Sequence, residues 1–365
     1  MRRSFFALAL AVAACSGGKS TPAFDPAASL DIANDDVELA VGANKVGATI
    51  THPTRPGKWP GVVVIAGSGP TDRDWNSPLL KSKNGSGKLL GDALAKRGAV
   101  VLRFDKPGTG KNTTPITDVT ADTVRDEALA ALAALRTRPD VDPAHVLVAG
   151  HSEGGIHAIR TALAGGGPLA GVILLSSAGR SMADVMYGQI ATQMHEAAAR
   201  GALTSELADA ELAKLRAALD DIVAGKDVDP EKASSIPNLQ RLVAMLVSPV
   251  NVKFTRSIFG VDPGKLVGQI AVPVFVYNGK KDIQVDPAID AARLERALRD
   301  AHRDVTVFLA PDADHVLKHE PRTIEQIRAN LEAAQNGYNA PERTLDDATV
   351  DAIATWIAKI TSSRS

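Results

Sequence analysis

The sequence predicts an α/β protein: a mostly parallel, doubly wound sheet with helices on both faces and a helical cap inserted late in the chain. Three observations lead there. Short, unbroken apolar runs recur as GVVVIA (61–66), AVVLRF (99–104), HVLVAG (145–150), GVILLS (171–176), VPVFVY (272–277) and VTVFLA (305–310). Runs this short suit strands covered on both faces, as in a parallel sheet. Helical patterns separate most of them, and strand–helix alternation is the mark of this layer architecture. Finally, residues 177–271 lie between the fourth and fifth runs, far more than one crossover needs, and they read as helices over 182–200 and 204–223 with more beyond.

Taken in order, Val37, Leu39 and Val41 alternate with polar or small residues, as do Val46, Ala48 and Ile50. Both segments read as half-buried strands forming an antiparallel edge. LLGDALAKRG (89–98) is a helix stopped by glycine. TVRDEALAALAAL (123–135) is a helix whose Thr123 and Asp126 have capping-box spacing. Residues 287–301 and 346–360 also have helical patterns. The expected organisation is a signal segment at 1–14, a tether at 15–34, a core from 35–180 and 268–365, and a helical cap at 181–267.

Composition narrows the partners. Of 365 residues, 41 are basic and 42 acidic, a net charge of −1 with no block of one sign, so no basic face is expected for nucleic acid. The chain opens MRRSFFALALAVAACSGGKS, with Arg2 and Arg3 ahead of a short apolar stretch from Phe5 to Ala14. That stretch is too short to span a bilayer as a mature helix. It ends Val12-Ala13-Ala14-Cys15, which resembles a bacterial lipobox, where the cysteine is lipidated and becomes the new N-terminus. The alternative is an ordinary secretory signal with Cys15 incidental, and both export the protein. The expected location is a membrane-anchored lipoprotein on the periplasmic side or the cell surface.

The chemistry gathers around VLVAGHSEGGIHA (146–158). Gly150-His151-Ser152-Glu153-Gly154 fits G-x-S-x-G, a sharp strand-to-helix turn that lifts a serine hydroxyl above the sheet. Side chains two positions away on either side would collide, hence the glycines. A bare glycine turn matches the pattern too, but the flanking buried strand and helix favour a nucleophile. Such a serine needs a base and an orienting acid, in the chain order Ser, Asp or Glu, His. Asp282 lies just past the end of VPVFVY, and Asp286, its rival, precedes Pro287 like a helix-start residue. His315 follows VTVFLAP, and His319 competes from farther along the same loop. The other histidines fall in the wrong places for this order. The N–H of Glu153 and the backbone of Ser68, in Ala66-Gly67-Ser68-Gly69-Pro70, are the expected oxyanion donors.

These residues carry a family resemblance. The chain resembles the α/β-hydrolase superfamily, and among its members the bacterial esterases and serine-aminopeptidase-like hydrolases that bear G-S-G-P-x-D-R-D after the third strand. Gly67 to Asp74 supplies that motif. Arg103-Phe104-Asp105-Lys106-Pro107-Gly108-Thr109-Gly110 resembles their R-[YF]-D-x-R-G-x-G loop, with Pro107 where arginine is usual. Asp262-Pro263, Ile270 to Pro273 and Gly279 to Val285 fit as well. The resemblance spans about residues 35 to 360, least securely in the cap, and is specific for the superfamily but not for a substrate.

Other motifs fail. Gly87-Lys88 lacks a glycine at Ser82 and a hydroxyl residue at Leu89, so it is not a phosphate loop. Asp72 occupies the third glycine position of a dinucleotide fingerprint after Gly67 and Gly69. Asp312, Asp314, His315 and His319 suggest a metal cluster, but no cysteine or second histidine pair supports it. Met182, Met186, Ile190 and Met194 form one apolar stripe, either packing the cap or offering an adaptable wall to an acyl group.

The expectation is therefore a cofactor-free serine hydrolase acting on a small-molecule acyl or ester substrate, of unspecified oligomeric state. A peptidase of the aminopeptidase type and a non-catalytic binding lipoprotein are the alternatives. Cys15→Ser is expected to release the protein from membranes and abolish lipid labelling. A wild-type protein without lipid on a mature N-terminal cysteine contradicts the anchor.

Overall fold

A computed structural model describes residues 24–79 and 82–362. Cys15 and the signal segment lie outside them. The expected tether joins the folded body before it ends. Phe24 is buried, and the backbone of Asp25 and of Leu30 hydrogen-bonds Arg97 and Lys96 at 2.9 and 2.8 Å.

Eight strands form one sheet in the order β1-β2-β4-β3-β5-β6-β7-β8. β1 (Ile32–Val41) and β2 (Asn44–Pro53) are an antiparallel hairpin, and β2 runs antiparallel to β4 (Val100–Phe104). From β4 onward β3 (Trp59–Ile65), β5 (Val141–His151), β6 (Gly171–Leu175), β7 (Val274–Gly279) and β8 (Val305–Ala310) pair in parallel. All seven residues of β3 are buried, which is why its sequence does not alternate.

Alternate side chains of one strand serve opposite faces. Val63, Ile65, Val146 and Val148 pack with α2 (Ala121–Thr137), α3 (Glu153–Leu163) and α10 (Ala292–Asp300). Val62, Val64, Leu147 and Ala149 pack with α1 (Ser86–Lys96) and α13 (Asp347–Ser362). The sheet is thus sandwiched between helical layers, as the alternation predicts.

Between β6 and β7 come α4 (Met182–Ala199), α5 (Ser205–Val223), α6 (Pro230–Ala233), α7 (Pro237–Val247), α8 (Val252–Ile258) and α9 (Pro263–Leu266). The methionine stripe packs within this layer. Met182, Met186 and Ile190 lie against a cluster containing Leu215 and Leu219 of α5, and Met194 joins Leu212 and Leu239. A second helical excursion, α11 (Ile324–Ala329) and α12 (Leu331–Gly337), interrupts the path from β8 to α13 and has no counterpart among the expected elements.

Two boundaries differ from the sequence reading. The helix expected at 287–301 begins as a single π turn, Pro287–Ala291, before α10. α2 starts one turn earlier than expected, because Thr120 rather than Thr123 is its N-cap. The Thr120 hydroxyl accepts from the Thr123 N–H, and the Thr123 hydroxyl accepts from the Thr120 N–H at 3.0 Å. Thr120→Ala is expected to cost about 1 kcal/mol of stability, read from the denaturant midpoint at unchanged slope.

Candidate active site

Ser152, Asp282, His315 and the 67–75 loop all follow the carboxyl ends of parallel strands, the edge where sites of open α/β sheets form. Ser152 has φ 55° and ψ −123°, a strained conformation for a residue with a side chain. The surroundings hold it there. Its N–H donates to the Leu175 carbonyl of β6 at 2.9 Å, and its carbonyl accepts from the Gly155 N–H at 3.0 Å. A Cβ at Gly154 would stand 2.5 Å from the Ile65 carbonyl oxygen and 2.6 Å from that of Ala66, and one at Gly150 would run into the Gly154 carbonyl. The turn can press onto β3 only because these positions are glycine.

The 67–75 loop closes over the serine. A Cβ at Gly67 would lie 3.2 Å from the Ser152 Cβ, so Ser68 stands beside the elbow. Two ion pairs fix the loop. Arg73 binds Asp105 twice, Nε to Oδ1 at 2.9 Å and Nη2 to Oδ2 at 2.6 Å, and buried Arg103 binds Asp74. The two motifs noted in the sequence therefore interlock, each arginine meeting the other motif's aspartate.

Asp282 and His315 come together. His315 Nδ1 lies 2.8 Å from Asp282 Oδ2, with both residues buried. Asp282 Oδ1 accepts from the N–H groups of Gln284 and Val285 at 2.8 and 2.9 Å, and Asn278 Nδ2 donates to Oδ2 at 3.2 Å. The rivals do other work. Asp286 is exposed and its carboxylate accepts from the Ala288 N–H at 2.8 Å, capping the π turn. His319 is exposed, 3.6 Å from Asp346. With Nδ1 engaged by the carboxylate, the other ring nitrogen of His315 is free to serve a hydroxyl.

A cleft of about 200 Å³ is bordered by Ser68, Trp75, Ser152, Gln284, His315 and Tyr338. Gln284 and Gln335 also line a larger cavity of about 300 Å³, whose walls include Gln189 and Gln193 of α4, Lys280 and Arg328. Gln189 Nε2 donates to the Gln284 carbonyl at 2.7 Å, tying α4 to the loop that carries Asp282. At the N-terminus of α3 the first N–H groups have no acceptor within the helix, and that of Glu153 immediately follows the serine.

Sequence reasoning passed over several residues here. His151, set aside on chain order, is fully buried and its Nε2 lies 2.8 Å from the His315 carbonyl, which requires that nitrogen to carry the proton. Its ring stacks on Trp75 with centroids 4.3 Å apart. Burial first, and the nearby His315 second, hold its pKa well below the usual imidazole value, so it stays a neutral donor steadying the His315 loop. Asp314 accepts from the N–H groups of Val316 and Lys318 and pairs with Arg343 at 2.8 Å, while burial pushes its carboxyl up to about 6. The position of His151 inside the elbow was a usable signal. Nothing in the sequence marked Gln335 or Tyr338.

Known proteins resemble this chain to different degrees. Esterase EstD of Thermotoga maritima is 23% identical over 325 residues, covering 88% of this chain and 68% of that protein. The structure of the DcsB complex with its substrate analogue superposes with a TM-score of 0.52 at 11% identity, covering 90% of this chain and 99% of that one, a likeness of fold alone. The proline iminopeptidase of Mycobacterium smegmatis aligns at a TM-score of 0.48 and 17% identity, over 90% of this chain and all of that one. The sequence model of the alpha/beta hydrolase family matches residues 62–327, well over half of the 365 and all the strand ends described above. By that match the chain belongs to the alpha/beta hydrolase family.

Proposed function

We propose that this hydrolase cleaves a carboxylic ester through a covalent acyl-enzyme on Ser152. The observation that carries the reading is the 2.8 Å His315–Asp282 pair, whose histidine borders the same cleft as a serine held at positive φ. In this reading His315 takes the Ser152 proton as the hydroxyl oxygen attacks the ester carbonyl. Asp282 fixes the Nδ1–H tautomer and stabilises the imidazolium. The N–H groups of Ser68 and Glu153 bind the oxyanion. Collapse expels the alcohol, which leaves with the proton from His315. Water, activated by the same histidine, then releases the acid and restores the serine. The named activity of the EstD relative supports ester over amide. The reading includes export and anchoring through a lipid on Cys15.

Ser152→Ala is expected to lower turnover of p-nitrophenyl esters by roughly 10⁴-fold or more and abolish fluorophosphonate labelling, with the melting temperature retained. A folded variant that still turns over rules out this nucleophile. A wild-type protein that cleaves aminoacyl-nitroanilides in preference to the esters would make it a peptidase, and one that neither labels nor turns over would make it a binding protein.

Asp282→Asn is expected to remove most turnover, near the 10⁴-fold seen for the same change in an analogous triad, at nearly constant melting temperature. Asp286→Asn should keep turnover and its melting temperature, because asparagine caps a helix start about as well as aspartate. The reverse pattern in kinetics and thermal melts of the two variants would reassign the acid.

A further inference from the structure

We propose that Lys106 is a positioning residue that holds both oxyanion donors as one unit, an inference that rests on the serine-hydrolase reading. Its ammonium is buried and donates to the Gly67 carbonyl at 2.7 Å and to Glu153 Oε1 at 2.9 Å. These two acceptors sit on different segments, one in the loop after β3 and one at the start of α3 after β5, and each belongs to an oxyanion donor.

The first contact acts through peptide geometry. The Gly67 carbonyl and the Ser68 N–H lie in one planar peptide unit and point in opposite directions. Fixing the carbonyl on one side therefore aims the N–H on the other. A cation on that carbonyl also polarises the peptide and strengthens its N–H as a donor. The second contact acts through the residue that follows the nucleophile. Glu153 is the first residue of α3 and is buried, and its Oε1 faces both the Lys106 ammonium at 2.9 Å and His157 Nε2 at 3.5 Å. Burial alone would favour the neutral acid. The Lys106 charge opposes it and, with His157, holds the carboxyl at about 2, so Glu153 stays an anion tied to Lys106.

Lys106 is anchored in turn. It follows Asp105, which Arg73 clamps, and its carbonyl accepts from the Thr109 hydroxyl at 2.8 Å. It lines a separate apolar cavity with Pro107 and Phe254, not the serine cleft, so it acts through the donors rather than on the substrate. Stability alone does not account for it, because a buried ion pair is often no better than an apolar pair of the same volume. An ion pair that also grips a backbone carbonyl gives the geometry that an apolar pair cannot.

The test compares wild type, Lys106→Met and the double variant Lys106→Met/Glu153→Gln. The double variant leaves no uncompensated buried charge, so it decides the matter if the single one fails to fold. Kinetics on p-nitrophenyl butyrate are set beside inhibition by an alkyl trifluoromethyl ketone. The ketone carbon bonds to the serine oxygen, the serine proton passes to the histidine, and the resulting hemiketal oxyanion occupies the donors. The folded variant should lose roughly 10- to 100-fold in kcat with KM within about threefold, and ketone affinity should fall by the same factor as kcat/KM. A folded double variant within about twofold of wild type in both readouts overturns the inference. So does a loss confined to KM or to melting temperature. Fluorophosphonate labelling at Ser152 in the wild type separates the two claims: without it the serine-hydrolase reading falls and takes this inference with it, and with it an unaffected double variant sinks this inference alone.

Discussion

The contact between Gly154 and the carbonyl oxygens of Ile65 and Ala66 sets the geometry of everything above the sheet. It lets the β5–α3 turn lie directly on the end of β3, a neighbour in the sheet although distant in sequence. With the turn pressed down, Ser152 is forced to positive φ and the 67–75 loop passes within van der Waals range of it. A side chain at this glycine would lift the elbow, separate the serine from the loop and undo the cleft in one step. The strain is sustained because the sheet on both sides is buried and cannot yield.

The loops depend on crossed electrostatics. Arg73 with Asp105 and Arg103 with Asp74 tie the loop after β3 to the loop after β4. Lys106, next in the chain, extends the tie to the elbow. Three strand ends are thus joined by charged hydrogen bonds beside the candidate site. Such bonds have defined directions, which apolar packing in the layers beneath does not supply.

The runs of β3, β4, β6, β7 and the second half of β5 were legible because both faces are buried, while β8 at the sheet edge keeps an unbroken apolar run although it is only half-buried. The edge hairpin was legible only in part. β1 and β2 continue beyond 37–41 and 46–50 through polar residues such as Asp35 and Asp36, where ladder hydrogen bonds rather than burial extend the strands. α11 and α12 are too short and polar for a periodic signal to stand out. At the candidate site, Ser152, Asp282 and His315 stood out in the sequence because each sits in a local pattern at a strand end. Lys106 and His151 could not be given roles, since those come from partners 39, 47 and 164 residues away. Linear sequence shows which residues a strand end presents, not which of them meet.

Gln284 faces three ways at once. Its N–H binds the Asp282 carboxylate, its carbonyl takes the amide of Gln189 in α4, and its side chain walls both cavities. The wall of the larger cavity, helix α4 and the Asp282 carboxylate are therefore joined through one residue. The Gln284 carbonyl that α4 holds belongs to the same peptide unit as the Val285 N–H, which also donates to Asp282.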